Sequence, residues 1–129
     1  MTVERRIDPA LFVPPAYAHV AVASGTTVYT AGAVPLDAEG ILVGAGDIAA
    51  QTQQVIDNLL GALDLAGAHP SDIVKTTVYV VASEPAPLST AWEIVRASPL
   101  AGATSTLLGV TALGYTGQLV EIEAIAVLD

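Results

Sequence analysis

The chain has 129 residues, which suits a single domain spanning 1–129 with a core that needs no covalent staples. It has no cysteine, so disulfides, thiol nucleophiles and thiolate metal sites are excluded. Thirteen acids against four strong bases (Arg5, Arg6, Lys75 and Arg96) leave a net charge of -9, which disfavours both nucleic acid and anionic membrane surfaces as partners.

Charged residues are only 13% of the chain, against about 25% in an ordinary globular protein, while hydrophobic residues are 53% and the mean hydropathy is +0.61. So few charges cannot cover the surface of a small monomer, and the surplus apolar area is most simply hidden between subunits. The first residues carry no apolar run of signal-peptide length, and no later stretch reaches the roughly 18 apolar residues of a membrane span. A soluble, cytoplasmic protein is expected.

Residues 1–16 read as irregular, because Pro9, Pro14 and Pro15 interrupt any regular element. Strands are predicted over 18–23 and 27–31, joined at Ser24-Gly25-Thr26 as a hairpin. The Gly- and Pro-containing stretch 32–46 reads as loop. Over 47–66 the spacing predicts a helix, capped by Asp47, with Ile48, Val55, Ile56, Leu59, Leu60 and Leu63 on one face and Gly67 ending it. The β-branched run 73–81 predicts a central strand. A shorter helix is expected over 85–97, capped by Ser83 and stopped by Pro99, with Leu88, Trp92 and Val95 on its core face. Two strands, 104–113 and 119–128, complete the chain. The order β-β-α-β-α-β-β implies an α+β fold, a mixed sheet with two helices on one face and partner subunits on the other.

The last strand alternates cleanly. Val120, Ile122, Ala124, Ala126 and Leu128 make one apolar face, and Glu121 and Glu123 lie on the other, about 7 Å apart. A carboxylate partly buried at such a place becomes harder to ionise and can act as acid or base, or hold a water. The plainer alternative is a pair of surface or backbone-satisfied carboxylates, which is the commoner case. His19 reads as a structural strand residue and His69 as a loop residue. Two histidines without metal-binding spacing make no zinc site, and neither metal nor cofactor is called for. Gly44-Ala45-Gly46 before the first helix lacks a phosphate-loop lysine and reads as a plain loop. The hydroxyl cluster Thr104-Ser105-Thr106 either satisfies backbone groups or lines a polar pocket.

A resemblance spans nearly the whole chain. It is carried by Tyr29-Thr30-Ala31-Gly32-Ala33-Val34-Pro35, Gly46-Asp47-Ile48 with Gln51 and Asn58, Ala66-Gly67, Asp72-Ile73-Val74-Lys75-Thr76-Thr77-Val78-Tyr79 and Val120-Glu121-Ile122-Glu123-Ala124-Ile125-Ala126. In order and spacing these are similar to the RidA/YjgF family. The resemblance implies a chorismate-mutase-like fold, a barrel-like homotrimer and ligand clefts between neighbouring subunits. It also implies hydrolysis of reactive enamines and imines, such as 2-aminoacrylate, to 2-oxo acids and ammonia. Tyr17 matches a cleft tyrosine of that family, and Glu121 matches the glutamate that positions the attacking water. Active members carry a carboxylate-clamping arginine where this chain has Ser105, or Thr104 if the alignment shifts by one. Ser89 stands for an asparagine of the second helix.

A serine offers one neutral donor where an arginine fork binds a carboxylate bidentately. Little 2-aminoacrylate deaminase activity is therefore expected. Three functions stay open: an enzyme acting through Glu121 on a small neutral or cationic imine-like or carbonyl compound, with Tyr17, Ser105 and Thr106 supplying neutral hydrogen bonds; a binding module without turnover; or a residual deaminase in which another base, such as Arg96, replaces the clamp.

Overall fold

In the computed structural model, which describes residues 2–129, the elements run β1 (Val3–Arg6), β2 (Val20–Ala23), β3 (Thr26–Tyr29), α1 (Ile48–Leu65), a short 3-10 turn (Pro70–Asp72), β4 (Ile73–Val81), α2 (Pro85–Arg96), β5 (Thr104–Val110) and β6 (Val120–Leu128). The main sheet has the order β3-β6-β4-β5, with β4 and β5 parallel and the other pairs antiparallel. The α+β class and the two-helix layer are as expected.

The first helix forms where its caps put it. Asp47 accepts a hydrogen bond from the Ala50 amide at 3.0 Å. Gly67, at φ +75°, closes the other end, its amide donating to Asp64 and that of Ala68 to Leu63. Val55, Ile56, Leu59 and Leu63 are fully buried against Val78, Val80, Val120, Ile122 and Ala126 of the sheet. The second helix starts at Pro85, with Glu84 rather than Ser83 at the N-cap, and no side chain caps it. Proline at the first position has no amide to satisfy, so a side-chain cap matters less there.

Two expectations fail at the N-terminus. Residues 3–6 are a strand, because a short ribbon needs only one partner. That partner is β2, with Val3 opposite Ala23 and Arg6 opposite Val20. Consequently β2 and β3 are not ladder partners in a hairpin: β3 leaves Gly25 and pairs with β6 instead. The prolines do not prevent β1, since all of them lie beyond it. Arg5 anchors the ribbon to the core layer, donating to the carbonyls of Pro70 and Ile73 at 2.8 and 3.1 Å.

The sheet face turned away from the helices is mixed, carrying Lys75, Thr77, Tyr79, Glu121 and Glu123 beside the exposed Tyr29. Many exposed apolar side chains lie in the N-terminal segment: Ile7, Leu11, Phe12, Val13, Val20 and Val22 are all about half exposed or more. Among the described residues no helix is long and apolar enough to cross a membrane.

Candidate functional site

The residues singled out from sequence divide into two groups, and strand parity is the reason. In β5, Ser105 points to the helix side and Thr104 and Thr106 to the other. Thr76, buried on the helix side of β4, donates its hydroxyl to Ser105 Oγ at 2.8 Å, while Lys75 on the open side donates to Thr106 Oγ1 at 2.7 Å. The three hydroxyls are thus not one cluster. Thr104 Oγ1 is buried without a partner.

Ser105 opens into a cleft of about 380 Å³ whose other walls are Phe12, Pro15, Tyr17, Trp92 and Leu107. The chain reaches it because residues 16–18 run alongside 102–104: Gly102 donates to the Ala16 carbonyl at 2.8 Å, and Ala18 to that of Ala103 at 3.3 Å. Ala16 takes a left-handed conformation, φ +67°, a strained choice for a residue with a β-carbon. It turns the chain just before Tyr17 enters the cleft. Tyr17 and Trp92 pack edge to face, 5.8 Å apart and at 80°. The Trp92 indole donates to the Pro15 carbonyl at 3.0 Å, and the ring, half-buried against the core as its helix face predicts, also walls the cleft. His19 has the structural role expected of it. It accepts the Asp8 amide on Nδ1 at 3.0 Å and holds the Phe12 carbonyl through Nε2 at 2.7 Å, pinning the loop that forms the outer wall.

The direction of the Thr76–Ser105 bond matters. Thr76 is only 1% exposed. If Ser105 donated, the Thr76 hydroxyl hydrogen would be buried without an acceptor, at a cost of about 1–3 kcal/mol. With Thr76 donating, the Ser105 hydrogen is left free for the cleft. Ser89, by contrast, is exposed on α2 and outside the cleft lining.

Glu121 lies on the other face. It sits opposite Tyr79 of β4, and its Oε1 accepts from Gln118 Nε2 at 3.1 Å. Its Oε2 fills the space left by the missing side chain of Gly32, a residue of the segment that runs beside β6. Glu123, the second carboxylate, accepts the Tyr79 hydroxyl. That hydrogen bond, then burial and the nearby charges of Glu123 and Glu121, push the Tyr79 phenol above its ordinary value. Glu123 therefore fits the structural reading. Arg96 is paired with Glu93 at 3.7 Å on the exposed side of α2 and does not line the cleft. Among the described residues no group of His, Asp or Glu is gathered in a way that could hold a metal.

Two side-chain amides that carried the resemblance, buried Gln51 and half-buried Asn58, prove to be braces. Gln51 accepts from the Leu119 amide at 2.7 Å and donates to Gly44 and Gly117, tying the start of α1 to the turn before Glu121. Asn58 donates to Val34 and Leu36 and so fixes the stretch that follows Gly32.

The family model described as Endoribonuclease L-PSP matches residues 10–128. The chain belongs to this family. Among solved structures, the L-PSP-family chain is similar to YyfB, a Rid family protein of unknown function from Yersinia pestis. Identity is 38%, with 99% of this chain and 100% of that one covered and a TM-score of 0.89. A RutC family protein of Pyrococcus abyssi is 42% identical over 60 residues, 46% of this chain and 47% of that protein. A 2-iminobutanoate/2-iminopropanoate deaminase of Salmonella typhimurium is 41% identical over 56 residues, 43% of each. The L-PSP-family chain thus spans about half the length of the curated relatives it matches.

Proposed function

We propose that this protein is a RidA-like homotrimer that takes a small neutral or cationic imine-like or carbonyl compound in a cleft between subunits. The observation that carries this reading is the separation of the two groups. The Tyr17–Trp92–Ser105 cleft and the Glu121–Gly32 corner lie on opposite sides of one sheet, so no single copy joins them. A neighbouring copy brings the second to the first. The exposed apolar segment 7–22 supplies surface to bury on assembly.

In such a cleft Glu121 takes a proton from a water whose oxygen attacks the imine carbon. Glu121 returns that proton to the nitrogen of the resulting carbinolamine, the C–N bond breaks, and ammonia leaves carrying the hydroxyl proton as the carbonyl forms. Gln118 holds one carboxylate oxygen, and Gly32 leaves room for the other. Among the described residues of one copy, no basic side chain lines the cleft to clamp a carboxylate. Ribonuclease activity fits poorly with a net charge of -9.

The test is twofold. Light scattering should give about three times 13.1 kDa; a stable monomer at micromolar concentration would refute the assembly. Ammonia release from a panel of uncharged and cationic imines should exceed the spontaneous rate and fall in Glu121→Gln. No release from any of them would leave a binding module.

A further inference from the structure

The chain is poor in aromatic residues, with one Trp, one Phe and four Tyr in 129 positions. The only Trp, the only Phe and one Tyr nevertheless line a single cleft. Two of these rings, Tyr17 and Trp92, stand nearly perpendicular at 80°, and the third, Phe12, is 79% exposed at the mouth. Phe12 belongs to the exposed apolar segment that assembly would bury, and it adds a third ring at the mouth of this cleft. Perpendicular aromatic walls around an open space are the arrangement that holds an organic cation through its attraction to ring faces.

Charge points the same way. The chain carries -9, and no basic side chain lines the cleft. Each arginine is engaged elsewhere: Arg5 on the Pro70 and Ile73 carbonyls, Arg6 on Glu4 and Arg96 on Glu93. Lys75 lies on the opposite sheet face with Thr106. Within one copy, therefore, no cationic side chain among the described residues lines the rings. The indole N–H is already satisfied by Pro15, so Trp92 offers the cleft its ring and not a donor. The hydroxyls that line the cleft are those of Ser105 and Tyr17, and the Ser105 hydrogen, left free by Thr76, suits an acceptor atom on the same ligand.

The geometry points to an aromatic cage for a small organic cation, an alkylammonium or iminium group bearing an oxygen acceptor that reaches Ser105. This deepens the reading of the same cleft given above and rests on it only for the cleft's being a ligand site. It selects the cationic class over the neutral one.

The single tryptophan makes the test direct. Trp92 fluorescence of the intact protein is titrated with choline, with its uncharged carbon isostere 3,3-dimethylbutanol, and with the anionic 3,3-dimethylbutanoate. Choline should bind about 5- to 30-fold more tightly than the isostere, the range expected for a cation on partly desolvated rings. The carboxylate should bind most weakly. Phe12→Leu should weaken choline binding by a larger factor than isostere binding and so narrow the preference, with the oligomeric mass checked alongside. Equal binding of choline and its isostere, or no binding of either, overturns the cage. Ammonia release from neutral imines without cation preference would remove the cage and leave the hydrolytic reading intact. Cation preference without ammonia release would do the reverse.

Discussion

The carboxyl group of Glu121 occupies the space that a side chain on Gly32 would take. A β-carbon built there would lie 2.6 Å from Glu121 Cδ and 2.8 Å from its Cγ. Gly32 has an ordinary φ, so close approach, not backbone freedom, is what this position requires. The obstructing atoms belong to the far end of a flexible side chain. Gly32→Ala should therefore cost about 1–3 kcal/mol and swing the carboxylate away from its place. We expect ligand turnover to drop at least tenfold in a variant that stays folded and keeps its oligomeric mass. Unchanged turnover would show that the position of Glu121 is immaterial.

Tyr79 and Glu123 give a pH-dependent prediction. The Tyr79 phenol is raised in the folded protein, first by its hydrogen bond to Glu123. A raised phenol keeps its proton in the folded state while the unfolded chain begins to lose it near pH 10. The stabilisation is complete below that value and declines as pH rises through the folded value. Chemical denaturation between pH 8 and 11 should show stability falling at the alkaline end. In Tyr79→Phe that decline should be smaller, and spectrophotometric titration should lose its last-ionising tyrosine. An unaltered titration curve would remove the account.

Much of this arrangement is legible in the sequence, and the parts that are not have identifiable causes. The alternation of 120–128 fixes which face Glu121 takes, and Asp47 with Gly67 fixes both ends of α1, because those signals are local. Ser105 and Thr106 fall on opposite faces by the same alternation, so their separation is readable too, although adjacency suggests a cluster. The Tyr17–Trp92 contact is not readable. It depends on Ala16 taking a left-handed turn, and alanine gives no local signal of that. Nor is the pairing of β1 with β2, since ribbon partners are chosen by tertiary contacts such as Arg5 on Pro70 and Ile73.

Gln51 should be the most costly polar side chain to remove. It is fully buried and satisfies the Leu119 amide and the carbonyls of Gly44 and Gly117. Gln51→Leu keeps the volume but strands all three. A loss of about 3 kcal/mol is expected, given about 1–3 kcal/mol for each unsatisfied buried group and partial relief by water. Gln51→Glu should be tolerated no better, because it keeps the acceptor for Leu119 but replaces the donating amide with a carboxylate oxygen facing two carbonyls. Urea denaturation of the two variants checks this. A loss below 1 kcal/mol for Gln51→Leu would mean the turn before β6 holds itself.

The last prediction concerns Ser105. By resemblance it stands where active relatives carry an arginine, and it opens into the cleft beside Tyr17. A carboxylate in that cleft meets only the neutral hydroxyls of Ser105 and Tyr17, three aromatic rings and the field of a chain at -9. Losing a charged, two-point contact costs about 2–5 kcal/mol in comparable buried pairs, which is about 30- to several-thousand-fold in rate. Wild-type turnover of 2-aminoacrylate should therefore lie at least about 30-fold below that of an arginine-bearing relative assayed alongside. Ser105→Arg should recover part of the difference. Recovery will be incomplete, because the new side chain deprives Thr76 of its acceptor and must displace the Trp92–Tyr17 wall to lie flat. The same variant should abolish any preference for cationic ligands, since the guanidinium would occupy the rings itself. Wild-type activity equal to that of the relative would show that another group binds the carboxylate. Failure of Ser105→Arg to raise activity at all, in a variant that remains folded by circular dichroism, would show that the arginine position lies elsewhere on β5.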